Sequence, residues 1–214
     1  MDEEITIINT KTRNEKIKNF FLHNKKKLIS TLALLILILL SVYSYQEYKN
    51  NNFEKLSDKY NSAIIDYESG DKTKIIISLK EIVEEKDSTY SPLALYFLID
   101  NKLIKNKAEI NELFDILINK TSLKDEIKNL IIYKKALFNA DTINEKQLLD
   151  LLNPIFNSQS VWKSHVMYLV AEYFYSKNEK QKSKEFFNKI FTIENANQDI
   201  KNEAQKRLSR DLSE

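Results

Sequence analysis

Cysteine is absent from the 214 residues, glycine occurs once, and proline and histidine occur twice each. Without cysteine there is no thiolate nucleophile, no iron–sulfur ligation, no Cys-type zinc site and no disulfide, so stability has to come from packing. A lone glycine, Gly70, can write neither a dinucleotide fingerprint nor a phosphate-cradling loop, because both need several positions where backbone approaches a phosphate closely. The two histidines, His23 and His165, are too far apart to share one element and make no metal-ligand spacing. Cofactor, metal and small-molecule substrate are therefore not expected. What is abundant is Lys, Glu, Ile, Leu and Asn, with 43% apolar and 30% charged residues, a balance that suits long helices joined by tight connections.

The formal charge of +2 conceals an uneven division. Residues 1–27 hold seven basic side chains (Lys11, Arg13, Lys16, Lys18, Lys25, Lys26, Lys27) against four acidic ones, residues 28–45 hold none, and residues 46–214 hold 26 basic and 27 acidic ones, interspersed. A mixed-sign, near-neutral main segment lacks the basic face that nucleic acid demands, so no nucleic acid is expected.

The uncharged run is LISTLALLILILLSVYSY, 18 residues. As a helix it is ~27 Å long, close to the ~30 Å hydrocarbon core of a bilayer. Lys25, Lys26 and Lys27 abut its start at Leu28, and Tyr43 and Tyr45 close it, where amphipathic rings favour the headgroup level. A buried core helix would rarely be this long without a charge. A cleaved signal peptide is the stronger rival, since Val42-Tyr43-Ser44 weakly imitates a cleavage site. The 27 residues before the run, and a run longer than the ~7–15 residues of a signal core, favour an uncleaved signal anchor in the lipid bilayer. The excess of lysine and arginine ahead of the span predicts 1–27 as a cytoplasmic tail, 28–45 as the transmembrane anchor and 46–214 as a domain across the membrane.

From Phe53 onward apolar residues recur at three- and four-residue steps, the helical period. The first stripe (Phe53, Leu56, Tyr60, Ala63, Ile64, Tyr67) ends at Gly70-Asp71, with the glycine read as a left-handed cap. Ser91-Pro92 is read as the start of a helix carrying Leu93 through Ile104, with Ser91 its cap. A short helix from Leu148 is expected to end at Pro154, and Ile200, Ala204, Leu208 and Leu212 space a ninth, capping helix. Odd-numbered helices begin near 53, 91, 123 and 160, a period of about 32–38 residues that predicts stacked helix pairs. The fold class is all-α: one N-terminal transmembrane helix, then a solenoid of about four helix pairs plus the capping helix.

In the last pair, Ala171 and Phe174 fall in the first helix and Ser183 and Phe187 in the second, and in the first pair Ala63 and Gly70 are followed by Ile75, Leu79 and Ile82. These positions resemble tetratricopeptide repeats. The whole layout, with IKNFFLHNKKKLIS entering the membrane, VYSYQEYK leaving it and YSPLALYFLID opening the second repeat, resembles the ancillary SecYEG translocon subunit family of bacteria. That resemblance implies a single-pass protein of the bacterial inner membrane with a cytoplasmic N-terminus and a periplasmic tetratricopeptide-like domain. It further implies a non-catalytic adaptor whose partners are the Sec translocon and periplasmic chaperones. A scaffold for outer-membrane or cell-wall assembly is the alternative.

Taking Ala63 and Ala171 as register marks places Tyr60, Ile64 and Tyr67, and then His165, Tyr168, Glu172 and Tyr175, on the concave face of such a solenoid. Rings with polar handles suit partner contact, and they equally suit packing between repeats. The carboxylates Glu84, Glu85 and Asp87 read as a solvated helix end rather than an acid/base pair, for want of any neighbouring constellation.

Overall fold

The computed structural model describes residues 2–212, with side chains from residue 15 onward, so the side chains of Lys11 and Arg13 in the basic tail, and the whole of residues 1, 213 and 214, lie outside what is described. The described residues form nine helices, α1 (Asp2–Ile65), α2 (Lys72–Glu84), α3 (Tyr90–Asp100), α4 (Lys107–Lys120), α5 (Asp125–Asn139), α6 (Glu145–Phe156), α7 (Lys163–Ser176), α8 (Lys180–Phe191) and α9 (Gln198–Asp211), and among them there is no strand. The chain divides into two units, Met1–Lys55 and Leu56–Glu214.

The first unit is helical and carries one stretch long and apolar enough to cross a membrane, with a mean hydropathy of 2.2 and no buried residue in its apolar window. Leu32, Leu34, Leu37, Leu39 and Leu40 are all more than half exposed. Two hydroxyls of the run turn back on the helix itself: Thr31 Oγ1 donates to the Lys27 carbonyl at 2.9 Å and Ser41 Oγ to the Leu37 carbonyl at 2.8 Å. Such i−4 bonds satisfy polar groups where no water is at hand.

The second unit is built on helix stripes. Ile75, Leu79, Ile82 and Val83 bury one face of α2, Leu148, Leu152 and Ile155 one face of α6, and Phe187 and Ile190 one face of α8. Each helix packs on the next from α2 to α9, and α7 also meets α5 and α9. The α7–α8 pair is the most extensive, and Ala171 and Ser183, both fully buried on these two helices, let the backbones approach closely.

Four local expectations are corrected. Gly70 has no positive φ; a Cβ there would lie 2.6 Å from the Asp66 carbonyl oxygen, so close approach is what requires glycine. The left-handed positions fall instead on Lys86, Lys102 and Asn178, each just past a helix end. At Lys102 and Asn178 they close Schellman turns, with Leu103 N–H donating to Leu98 at 2.9 Å and Glu179 N–H to Phe174 at 2.9 Å. Secondly, α3 begins at Tyr90 and is capped by Asp87, whose carboxylate accepts from the N–H groups of Thr89 and Tyr90. Buried Ser91 instead donates to the Ile82 carbonyl at 2.6 Å, tying α3 to α2. Thirdly, α3 stops at Asp100, leaving Leu103 and Ile104 in the connection. Lastly, Pro154 lies inside α6, which continues to Phe156. Its ring is exposed, and the Asp150 carbonyl that it deprives of a donor belongs to an exposed residue open to water.

Candidate functional site

The anchor residues lie on α1. Lys25, Lys26 and Lys27 are exposed, Leu28 is half-buried, and Tyr43 and Tyr45 are 70% exposed at the far end of the apolar run. Charge at one end and amphipathic rings at the other are separated by about the thickness of a hydrocarbon core.

The residues assigned to a concave face split into sets with separate neighbours. Tyr60 leans on Tyr90 with ring centroids 5.8 Å apart, Tyr67 meets Phe97 edge-on at 5.1 Å, and Ile64 between them is half-buried. Burial raises the Tyr60 phenol, and Lys59 pairs with Glu81 of α2 at 2.6 Å beside it.

Tyr168, Glu172 and Tyr175 form an i, i+4, i+7 stripe on α7, and α9 packs against it. Arg207 of α9 grips Glu172 with both arms of its guanidinium, Nε at 2.6 Å and Nη2 at 2.8 Å, also pairs with Asp211, and sits 4.3 Å from the Tyr175 ring centre. Tyr168 rests edge-on against Phe187 at 5.3 Å, and its phenol is pushed up to about 12, by burial first and then by the Glu172 carboxylate.

His165 belongs to a third group. It packs 5.1 Å from Trp162 and 6.0 Å from Tyr133 of α5, and Trp162 and Tyr133 stack at 16°. Trp162 is held by its indole N–H on the Glu126 carbonyl at 3.1 Å. The imidazole Nδ1 is buried without a well-formed hydrogen bond, and burial lowers the His165 pKa against a weaker opposing pull from the Val161 backbone.

A cleft of about 550 Å³ opens between α3 and α5. Pro92, Leu93 and Tyr96 line it from α3 and Ile127 and Leu130 from α5, joined by Ser88 and Thr89 ahead of α3 and Lys124 ahead of α5. Sequence reasoning misses it because spacing puts Leu93 and Ile127 into core stripes, whereas they are 42% and 41% exposed. The available signal is phase: Leu93 falls beside the buried positions Ala94, Leu95 and Leu98, so α3 is apolar on more than one face. The Tyr96 hydroxyl is buried without a partner and pushed up to about 12, by burial and then by Asp100, and the Lys134 ammonium lies 5.7 Å from its ring centre.

Of the carboxylates weighed above, Glu84 and Glu85 are exposed and Asp87 is spent on capping α3. Among the described residues no group of three or more His, Cys, Asp or Glu could hold a metal ion. Comparison with protein families, with curated proteins and with solved structures finds no match for this chain.

Proposed function

We propose that the chain is a membrane-anchored, non-catalytic adaptor that holds a protein-interaction domain at the bacterial inner membrane, beside the Sec translocon and its periplasmic chaperones. The observation that carries this reading is the pairing, in one chain, of an apolar run with no buried residue and a helical unit with an open apolar cleft. The first needs lipid, and the second has surface left to offer a partner. In this reading residues 1–27 are cytoplasmic, held to anionic headgroups by their lysines, and 46–214 are periplasmic, on the strength of the positive charge ahead of the span. The helical unit is a tetratricopeptide-like solenoid of four pairs. The succession of contacts from α5 to α9, in which α5 meets α7 and α7 meets α9, supports that arrangement, and α9 closes it. The test is crosslinking in the native membrane followed by identification of the captured proteins. Translocon subunits and periplasmic chaperones are expected; capture of cell-wall or outer-membrane assembly factors alone would overturn the assignment to protein export.

A further inference from the structure

We infer that residues 15–27 of α1 dock on a bilayer surface rich in anionic lipid, through an apolar face rimmed with lysine. This deepens the anchor half of the proposal above and rests on it for the neighbouring span. The segment is helical and belongs to the same unit as the apolar run. At about 100° per residue, Ile17, Phe20, Phe21, Asn24 and Leu28 fall within an arc of ~100°. Lys16 and Lys27 lie just outside one edge of that arc, and Lys18 and Lys25 just outside the other. Glu15, Asn19, His23 and Lys26 take the opposite side, where Leu22 is the apolar exception. The face is open: Ile17 is 49% exposed, Phe20 56% and Phe21 58%, and the two rings meet edge-on with centres 6.0 Å apart. Its one amide is satisfied on the helix, Asn24 Nδ2 donating to the Phe20 carbonyl at 3.0 Å.

Two observations name what covers this face. Through Leu28 it runs on into the apolar run, so it begins where the hydrocarbon boundary would lie. Its rim is cationic as well. Residues 15–27 hold five lysines against Glu15 alone, a net +4, and the tail keeps +3 once Asp2, Glu3 and Glu4 are set against Lys11 and Arg13. Lysine stems can lie along the edge of an apolar layer while their ammonium groups reach lipid phosphates. A protein groove would have to supply an acidic rim on both sides of an apolar floor, whereas an anionic bilayer offers that combination everywhere. Docking needs α1, unbroken here, to bend ahead of the span. The Asn24 amide eases that step, because it keeps a donor on the Phe20 carbonyl when the backbone bond from the Asn24 N–H opens.

The test uses the full chain, whose lack of cysteine allows a single acrylodan label at Ile17→Cys or at Asn19→Cys. Each is reconstituted in lipid discs of phosphatidylcholine, alone or mixed equally with phosphatidylglycerol, and label depth is read from quenching by spin-labelled lipids. A helix continuing straight out of the bilayer would hold Ile17 ~17 Å and Asn19 ~14 Å beyond Leu28, with both labels in water and Asn19 nearer the lipid. Docking reverses that order. In the mixed discs the Ile17 label should emit at shorter wavelength and lie roughly 10 Å deeper than the Asn19 label, the width of a helix. The difference should shrink in phosphatidylcholine alone and in about 1 M salt, which screens charge beyond ~3 Å. Lys16→Gln, Lys18→Gln, Lys25→Gln and Lys27→Gln together should remove the lipid preference, and Phe20→Gln with Phe21→Gln should return the Ile17 label to water. A chain that enters neither kind of disc would overturn anchor and inference together. With the chain inserted, an Ile17 label no deeper than the Asn19 label, equal depth in the two kinds of disc, or indifference to the substitutions would overturn the inference alone. The export assignment bears on none of these results.

Discussion

The two units of the chain use the same aliphatic residues for opposite ends. Between residues 28 and 45 leucine and isoleucine follow one another without period and none is buried, whereas in Leu56–Glu214 the same residue types recur every three or four positions and Leu79, Leu95, Leu98, Leu117 and Leu152 are fully buried. The difference lies in what each pattern leaves exposed. A periodic stripe gives a helix one apolar face, which neighbouring helices can cover in water. A run that is apolar all round leaves no polar face, and for an uncovered helix only lipid is an adequate solvent.

That contrast is broken most forcefully in the run itself. Substituting Leu35→Arg together with Ile38→Arg places two charges near its middle at about 2.5–3.5 kcal/mol each, roughly 6 kcal/mol together. The chain should then leave the membrane fraction on alkaline extraction, which the wild-type chain should resist. Next in size is Leu79→Ala, which empties part of the packed unit and should cost about 2–5 kcal/mol in denaturant unfolding of the detergent-solubilised chain. The identical change at Leu37, which is 61% exposed and fills no packed core, should leave that unfolding free energy unchanged within ~0.5 kcal/mol.

Smaller effects sharpen the account of the packed unit. Lys102 holds a φ of 52°, a conformation that costs an ordinary side chain about 1 kcal/mol, so Lys102→Gly should raise the melting temperature slightly. The smallest effect concerns acid. Unfolded, the His165 imidazole titrates near ~6.5. Burial lowers that value in the folded chain, so below ~6.5 the unfolded state binds the proton more readily. The contribution is fully present above ~6.5 and declines as the pH falls towards the lowered folded value; melting curves between pH 7.5 and 5.5 should show this decline flattened in His165→Gln.

The fold is readable to the extent that it depends on period. The core stripes of α2, α6 and α8 are visible in spacing alone, and so is the lone apolar run. What spacing does not show is which partner a helix end or an extra apolar residue will find. Ser91-Pro92 has the form of a helix start, yet the cap comes from Asp87, and Ser91 reaches across to α2. Gly70 suits a left-handed turn, yet three non-glycine residues make such turns and the glycine answers a steric need set by Asp66.

The candidate surface is legible only in part for the same reason. Spacing puts Tyr168, Glu172 and Tyr175 on one stripe, but only tertiary structure shows Arg207 of α9 reaching Glu172. The α3–α5 cleft depends on the gap between two helices, a quantity that no single helix encodes.

The central claim, that the two units occupy different surroundings, is tested most directly through the missing cysteine. Single cysteines at Lys18, Leu37 and Asn188 in the full chain have no background thiol to compete for a membrane-impermeant maleimide added to spheroplasts. Asn188→Cys should label at once, Lys18→Cys only after the membrane is permeabilised, and Leu37→Cys only after denaturation. Labelling of Lys18→Cys and Asn188→Cys together in intact spheroplasts, or ready labelling of Leu37→Cys, would contradict the account.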